Sequence, residues 1–365
     1  MRQRILFVAQ NMDVGGIQTS LVNLLKVIAK KHPEDYEVTL FSFGKGELIK
    51  NIPDSVAVIT GNRLLQLSAE PFFSVLKRKK PVDILLRILL MIFVRALGSE
   101  KFYRSQFRKC MLPGKFDAAI SYFNDVPNNY FNQGTNLFVS EYVQAKEKLA
   151  WIHSDPIRAN FDGEHCREIY RSFDRIVCVS GAVERNFHEL VPEYAEKTEV
   201  IHNFIPVEEV RALAQTEHTY PEGKFHIVTV GRADNASKRM DGIVRVCARL
   251  KGEGISCVQW HIVGNGPDLP GNQQLARELD VEELICFEGE KTNPFPYIKH
   301  ADLFALYSAY EGFPMVIGEA QALDTFILTT NYAAAKEQIT PEQGIIAEDD
   351  EEFYQELKRL ILCRS

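Results

Sequence analysis

Short apolar runs recur along this 365-residue chain, each followed by a stretch whose apolar residues return at helical spacing. Ile5–Ala9 reads as a buried strand, and a helix follows from Thr19 through Ala29. Further strands are expected at Val38–Phe43, Ala118–Tyr122, Arg175–Val179 and Glu199–Ile201. A second series then begins. His226–Val230, Val258–Val263, Ile285–Phe287, Leu303–Leu306 and Phe326–Thr329 read as strands. Met240–Lys251, Leu275–Leu279, Glu319–Leu323 and Glu351–Leu362 read as helices between and after them. Strands apolar on both faces need cover on both sides, which is the condition of a parallel sheet wrapped by helices. Two such series predict an α/β protein of two doubly wound, Rossmann-like domains in tandem. The break falls at His202-Asn-Phe-Ile-Pro206, giving domains 1–205 and 206–365. Hydrophobic residues at 45% and charged residues at 25% suffice for two such cores, and they exclude a disordered, collagenous or disulfide-stapled chain.

The formal charge of −7 gives no electrostatic reason to expect nucleic acid as a partner. It is unevenly spread, at +4 over residues 1–205 and −11 over 206–365. The seven cysteines are scattered from Cys110 to Cys363, with no CxxC pair and no zinc spacing, so they read as small buried hydrophobes in a reducing compartment. The opening apolar run is too short for a signal peptide, and no stretch approaches the 18 or so uncharged apolar residues of a membrane span. A cytoplasmic location is therefore expected. One segment departs from the alternation. Residues 75–115 hold eleven basic and two acidic groups, including Lys77-Arg-Lys-Lys80 and the apolar Ile84–Leu97. Arg87 and Arg95 stand about 80° apart on a helical wheel, on one side of an otherwise apolar cylinder. Such a composition suits a helix lying in an anionic membrane surface, peripheral on the inner face of the membrane. The plainer reading is a helix packed on the sheet with its basic residues in water.

The chemistry-bearing residues gather in the second half. Val230-Gly-Arg-Ala-Asp-Asn-Ala-Ser-Lys238 ends a strand and places Arg232 and Lys238 just beyond it. A guanidinium fork and an ammonium at a sheet's carboxyl edge suit a diphosphate. Tyr310-Glu-Gly-Phe-Pro-Met-Val-Ile-Gly-Glu-Ala320 puts Glu311 and Glu319 eight residues apart. Glu319 is expected at a helix start, where free N–H groups favour phosphate and a carboxylate can take bonds from ribose hydroxyls. Each pair alone is a common surface arrangement.

Together they resemble the family-4 glycosyltransferases of the GT-B fold, whose pattern of an arginine, a lysine and Glu-x7-Glu stands here as Arg232, Lys238, Glu311 and Glu319. The resemblance extends to Val14-Gly-Gly-Ile-Gln18, His261-Ile-Val-Gly-Asn-Gly-Pro267 and Phe287-Glu-Gly289. It implies two Rossmann-like domains facing each other across a cleft, the first binding an acceptor and the second a nucleotide sugar. It further implies that Arg232 and Lys238 hold the donor diphosphate, Glu319 the ribose hydroxyls, and Glu311 faces the donor sugar. Gly15 and Gly16 would bring backbone N–H groups to the phosphates, and His153 would touch the donor sugar from the first domain. The implied reaction is sugar transfer with retention from a nucleotide sugar, UDP being the expected nucleotide. The acceptor would be a saccharide or lipid-linked molecule of a surface-polysaccharide pathway. The two cations would replace a divalent metal, so no metal and no cofactor are expected. The absence of GxGxxG near Gly15-Gly16 argues against NAD.

Asp324 and Phe326 replace the glycine and proline usual after the Glu-x7-Glu helix, which questions the local turn. The chain also stops soon after Glu351–Leu362, where many relatives continue, so interdomain closure is expected either to be held differently or to be completed by a partner subunit. Two competing functions remain: a non-catalytic GT-B subunit that stabilises a partner transferase, and a nucleotide-sugar epimerase. Retention of all four charged residues opposes the first, and product analysis would separate the second from a transferase.

Overall fold

The structure is a computed structural model, and it describes residues 2–110, 112, 114–124, 131 and 134–364. Positions 111 and 113, within the basic segment, lie outside the described residues. The chain forms two compact units, Met1–Phe204 and Ile205–Ser365.

The first unit is built on a parallel seven-stranded sheet. Its strands are β1 (Gln3–Ala9), β2 (Tyr36–Ser42), β3 (Ala57–Thr60), β4 (Phe116–Ser121), β5 (Ala145–Ile152), β6 (Arg175–Cys178) and β7 (Thr198–Val200), in the order β3-β2-β1-β4-β5-β6-β7. The order reverses direction between β1 and β4, which in open α/β sheets opens a ligand crevice at the carboxyl ends of those strands. Helix Gly16–Lys31 leaves β1 there. Leu6, Val8, Leu21, Leu25 and Leu40 are buried in the core. Phe41, Phe43, Tyr103, Phe107 and Phe138 add a cluster of mutually packed rings.

The second unit has a parallel six-stranded sheet. Its strands are β8 (Phe225–Val230), β9 (Val258–Val263), β10 (Ile285–Gly289), β11 (Leu303–Leu306), β12 (Ile327–Thr330) and β13 (Gly344–Ala347), in the order β10-β9-β8-β11-β12-β13. Here the reversal lies between β8 and β11. Its core centres on Trp260, Ile227, Val244, Leu303, Leu328 and Phe353. The indole of Trp260 donates to Thr229 Oγ1 at 2.9 Å, and Thr229 donates onward to the Ala305 carbonyl at 2.7 Å, so the buried polar atoms are satisfied. The acidic run at 349–352 opens the last helix, Asp350–Arg364. Its carboxylates sit at the positive end of the helix dipole and pair with Arg239 and Arg249.

Helix Pro81–Leu97 corrects the expectation for the basic segment. Arg87 does not share a solvent face with Arg95. It is buried, lies 4.0 Å over the Phe131 ring and donates to the Glu70 carbonyl at 3.1 Å. Asp83, one turn earlier, is also buried and binds Arg63 at 2.6 Å. The helix thus turns Asp83 and Arg87, with Leu90 and Val94, toward the protein and leaves Arg95 exposed. Val82, Leu85, Ile88, Leu89, Met91, Ile92, Phe93 and Leu97 are exposed, from 39% to 60%. The helix is amphipathic in the inverted sense. Lys77, Arg78, Lys79 and Lys80 precede it and are exposed.

Asp324 resolves the question of the turn after the Glu-x7-Glu helix. It adopts the left-handed conformation at φ +57°, the one a glycine would take most cheaply, and Thr325 N–H closes the turn on the Ala320 carbonyl at 3.1 Å.

Candidate functional site

Arg232 and Lys238 leave the carboxyl end of β8 at the reversal point of the second sheet. Their loop is pressed into place by close backbone packing. Gly264 has φ +146°, and a Cβ there would stand 1.9 Å from the Gly231 carbonyl oxygen; one at Gly266 would stand 2.3 Å from that of Ala233. Only glycine permits this approach. Ala233 N–H donates to the Asn265 carbonyl at 3.0 Å, and Asn235 N–H to Asp268 Oδ2 at 2.7 Å. Asp234 caps the short helix Asn235–Lys238 and also takes the Arg232 guanidinium at 2.9 Å. The Arg232 side chain is 71% exposed, so its fork is held at the root and open at the tip.

Glu311 follows β11, the next strand in space. Ala309 N–H donates to the Ser237 carbonyl at 2.8 Å, tying the two loops together. Lys238 Nζ pairs with Glu311 Oε1, and Ser308 Oγ donates to the same oxygen at 2.7 Å. The paired side chains are only 20% and 13% exposed. Lys238 is thus stored beside a carboxylate in a poorly hydrated place, where a phosphate oxygen can take over its ion pair. Tyr310, beside Arg232, Asp234 and Glu311, has its phenol pushed up by burial.

Glu319 departs from its expected place. It is the fifth residue of helix Met315–Ala322, not its start, and the helix begins after Pro314. It is buried, and burial alone raises its carboxyl to about 7. No hydrogen bond or ion pair holds it among the described residues, although buried carboxyls are ordinarily paired. A donor from outside the unit, such as a hydroxyl, would satisfy it.

In the first unit, Gly15 caps helix Gly16–Lys31 and no acidic residue occupies its first turn. Beyond its chain neighbours and its own helix backbone, nothing among the described residues lies within 4 Å of where a Gly16 Cβ would stand. The end of a sixteen-residue helix, open on that side, has the polarity an anion needs. His153 follows β5 and is buried. Its ring packs on Tyr122 at 4.6 Å between centroids, and its backbone N–H donates to Asn124 Oδ1 at 2.7 Å. Among the described residues, neither ring nitrogen has a partner at hydrogen-bond geometry. Burial lowers its pKa to about 3, so the imidazole is neutral at physiological pH and acts as a hydrogen-bonding group, not a cation. The second unit therefore pairs Lys238 with Glu311, places Arg232 on the same sheet edge, and leaves Glu319 in a separate buried position.

Two positions escaped the sequence reading: Ser308, which orients Glu311, and Asp234, which orients Arg232. A serine and an aspartate in loops carry no signal until the partners are known. One further group could hold a metal. His261, Cys286 and Glu288 offer ligand atoms within 4.8 Å of one another, away from the four charged residues in sequence.

The fold and the site together define a class: a GT-B protein of two Rossmann-like domains. The structure of HepE from Anabaena in complex with UDP and glucose aligns over 100% of this chain and 90% of its own, with a TM-score of 0.67 at 18% identity. The second unit gives the particular resemblance, since residues 224–362 match the family model described as glycosyl transferases group 1. Among curated relatives, the N-acetylgalactosamine-N,N'-diacetylbacillosaminyl-diphospho-undecaprenol 4-alpha-N-acetylgalactosaminyltransferase of Campylobacter jejuni is 29% identical over 183 residues, 48% of each chain. The lipopolysaccharide 1,6-galactosyltransferase of Salmonella typhimurium is 35% identical over 98 residues, 26% of each. The chain spans about half the length, or less, of these curated relatives.

Proposed function

We propose that this chain transfers a sugar, with retention at the anomeric carbon, from a UDP-sugar to a saccharide or lipid-linked acceptor in surface-polysaccharide synthesis. The Lys238–Glu311 ion pair beside Arg232 carries the reading, because it sets two cations for a diphosphate, Arg232 and Lys238, at the reversal point of a glycosyl transferases group 1 match. Arg232 and Lys238 bind the diphosphate and neutralise it as it leaves, the task a divalent metal performs elsewhere. Lys238 exchanges Glu311 for phosphate, and Glu311 is released toward the donor sugar. Glu319 accepts from the ribose hydroxyls. The backbone at Gly15 and Gly16 meets the phosphates, and neutral His153 bonds a sugar hydroxyl. The first unit serves the acceptor. UDP is supported by the UDP-bound neighbour, and a lipid-linked acceptor by the printed name of the Campylobacter relative.

The reaction belongs at the cytoplasmic face of a membrane. No helix among the described residues is long and apolar enough to cross one. Helix Pro81–Leu97 can instead lie in the headgroup layer, its exposed apolar face down and Lys77–Lys80 among anionic lipids.

The test is a transfer assay over UDP-sugars and lipid-linked saccharides, with the anomeric product read by NMR. Glu311→Gln or Lys238→Ala should each lower transfer by about a hundredfold or more. Full activity in either would refute the site. Product formed without acceptor would turn the reading toward epimerisation, and no turnover at all toward a non-catalytic subunit.

A further inference from the structure

On one face of the second sheet a polar chain runs across three strands. Pro221 carbonyl oxygen lies 2.7 Å from Nε2 of His226 on β8. Nδ1 of His226 lies 3.0 Å from Nε2 of His261 on β9. Nδ1 of His261 lies 3.0 Å from Oε1 of Glu288 on β10. Cys286 is the register partner of His261, and Glu288 sits in the register shift between Phe287 and Gly289, its carboxylate within 4.8 Å of the His261 and Cys286 ligand atoms. Tyr220 covers both imidazoles, its ring centroid 4.5 Å from that of His226 and 4.2 Å from that of His261.

The chain does not balance its hydrogens. Each of the three contacts needs one. The Pro221 carbonyl and an ionised Glu288 bring none, and two neutral imidazoles bring two. The third contact requires an added proton or a cation in its place. A cation is favoured by a third donor beside the pair, since Cys286 offers a sulfur within 4.8 Å of the His261 and Glu288 ligand atoms. If His261 gives its Nε2–H to His226, its Nδ1 lone pair faces both Glu288 and Cys286.

We propose that His261 Nδ1, Cys286 Sγ and Glu288 Oε1 form a binding site for a divalent ion of the zinc class, with water as the fourth ligand. The donor set of nitrogen, thiolate and carboxylate suits zinc and disfavours magnesium or calcium. A tetrahedral ion about 2.0–2.1 Å from nitrogen and oxygen holds them roughly 3.3 Å apart, so the observed pair needs to part only slightly. His226 and the Pro221 carbonyl supply the outer hydrogen bond that metal-bound histidines ordinarily have. Lys291 Nζ sits 3.5 Å from Oε2 of Glu288, leaving Oε1 for the ion. Binding releases the Cys286 proton to solvent, along with any proton shared by His261 and Glu288. The ion would clip edge strand β10 to β9.

The test uses the full, untagged chain stripped with EDTA and titrated with Co²⁺, then Zn²⁺. One Co²⁺ per chain should bind with a thiolate-to-cobalt charge-transfer band, and Zn²⁺ should displace it. Cys286→Ser should abolish the band with the far-ultraviolet circular dichroism unchanged, while Cys363→Ser should keep it. His226→Gln should weaken binding by about 10–100-fold. No band in the wild-type chain, or a band surviving Cys286→Ser, would overturn the assignment.

Discussion

Glu319 costs the free protein stability. Burial places its folded pKa at about 7, against 4.5 for an ordinary glutamate. The folded state therefore binds a proton more tightly than the unfolded state, and stability falls as pH rises from about 4.5 to 7. The loss approaches 3 kcal/mol, to order of magnitude. Glu319→Gln should recover most of it at pH 8 and almost nothing at pH 4.5, as read by urea unfolding, while weakening UDP binding. A variant no more stable than wild type at pH 8 would show the carboxyl to be paired. His153 has the opposite sign. Its folded pKa is depressed to about 3 from 6.5, so its contribution is whole above pH 6.5 and lost as pH falls toward 3. His153→Gln should thus lose less stability than wild type between pH 7.5 and pH 5, by about 2 kcal/mol. Equal losses would contradict a neutral, buried imidazole. The identities of these residues were legible in the chain, but their surroundings were not. Glu319 sits in a helix buried at Met315, Ile317, Glu319, Ala320 and Ala322, so no polar face marks where the helix begins. The ligands of the proposed metal site come from two strands, and sequence spacing cannot show a cross-strand register.

Among the elements, helix Pro81–Leu97 was legible in composition but not in orientation. A helical wheel gives the angle between Arg87 and Arg95, yet only the partners Phe131 and Glu70 decide that Arg87 faces inward. The inversion changes what should hold the protein to a membrane. Leu89→Asp with Ile92→Asp should lower binding to anionic vesicles at least tenfold at any salt, since each apolar side chain contributes about 1.5–3 kcal/mol when buried. Reversing Lys77–Lys80 to Glu should lower binding at low salt only. Cosedimentation unchanged by the apolar pair would remove the docking face. Asp324 offers a smaller check. Asp324→Gly should raise stability by roughly 0.5–1 kcal/mol, because glycine enters the left-handed region without cost. Strands β3, β5 and β13 were missed for local reasons, β13 being only the four residues Gly344–Ala347. The residues of β3 are mostly exposed, and β5 opens on Ala-Lys-Glu-Lys before its apolar half.

For the whole molecule, the alternation of apolar runs and helices was enough to expect two doubly wound domains. A parallel strand buried on both faces leaves no other way to satisfy its pattern. Arg232, Lys238 and Glu311 were legible as candidates because they follow strand ends, where such sheets bind ligands, whereas Glu319 lies inside a helix. Its working state was not, because Lys238 rests on Glu311 in the free chain. That resting pair makes the central claim measurable, and the direct measurement is calorimetric titration of the full chain with UDP, GDP and ADP without added metal. The account predicts that UDP binds at one site per chain, and that Lys238→Ala weakens it by tenfold or more while the fold is kept. Absence of binding by any of the three nucleotides, or UDP affinity unaltered by Lys238→Ala, would contradict it.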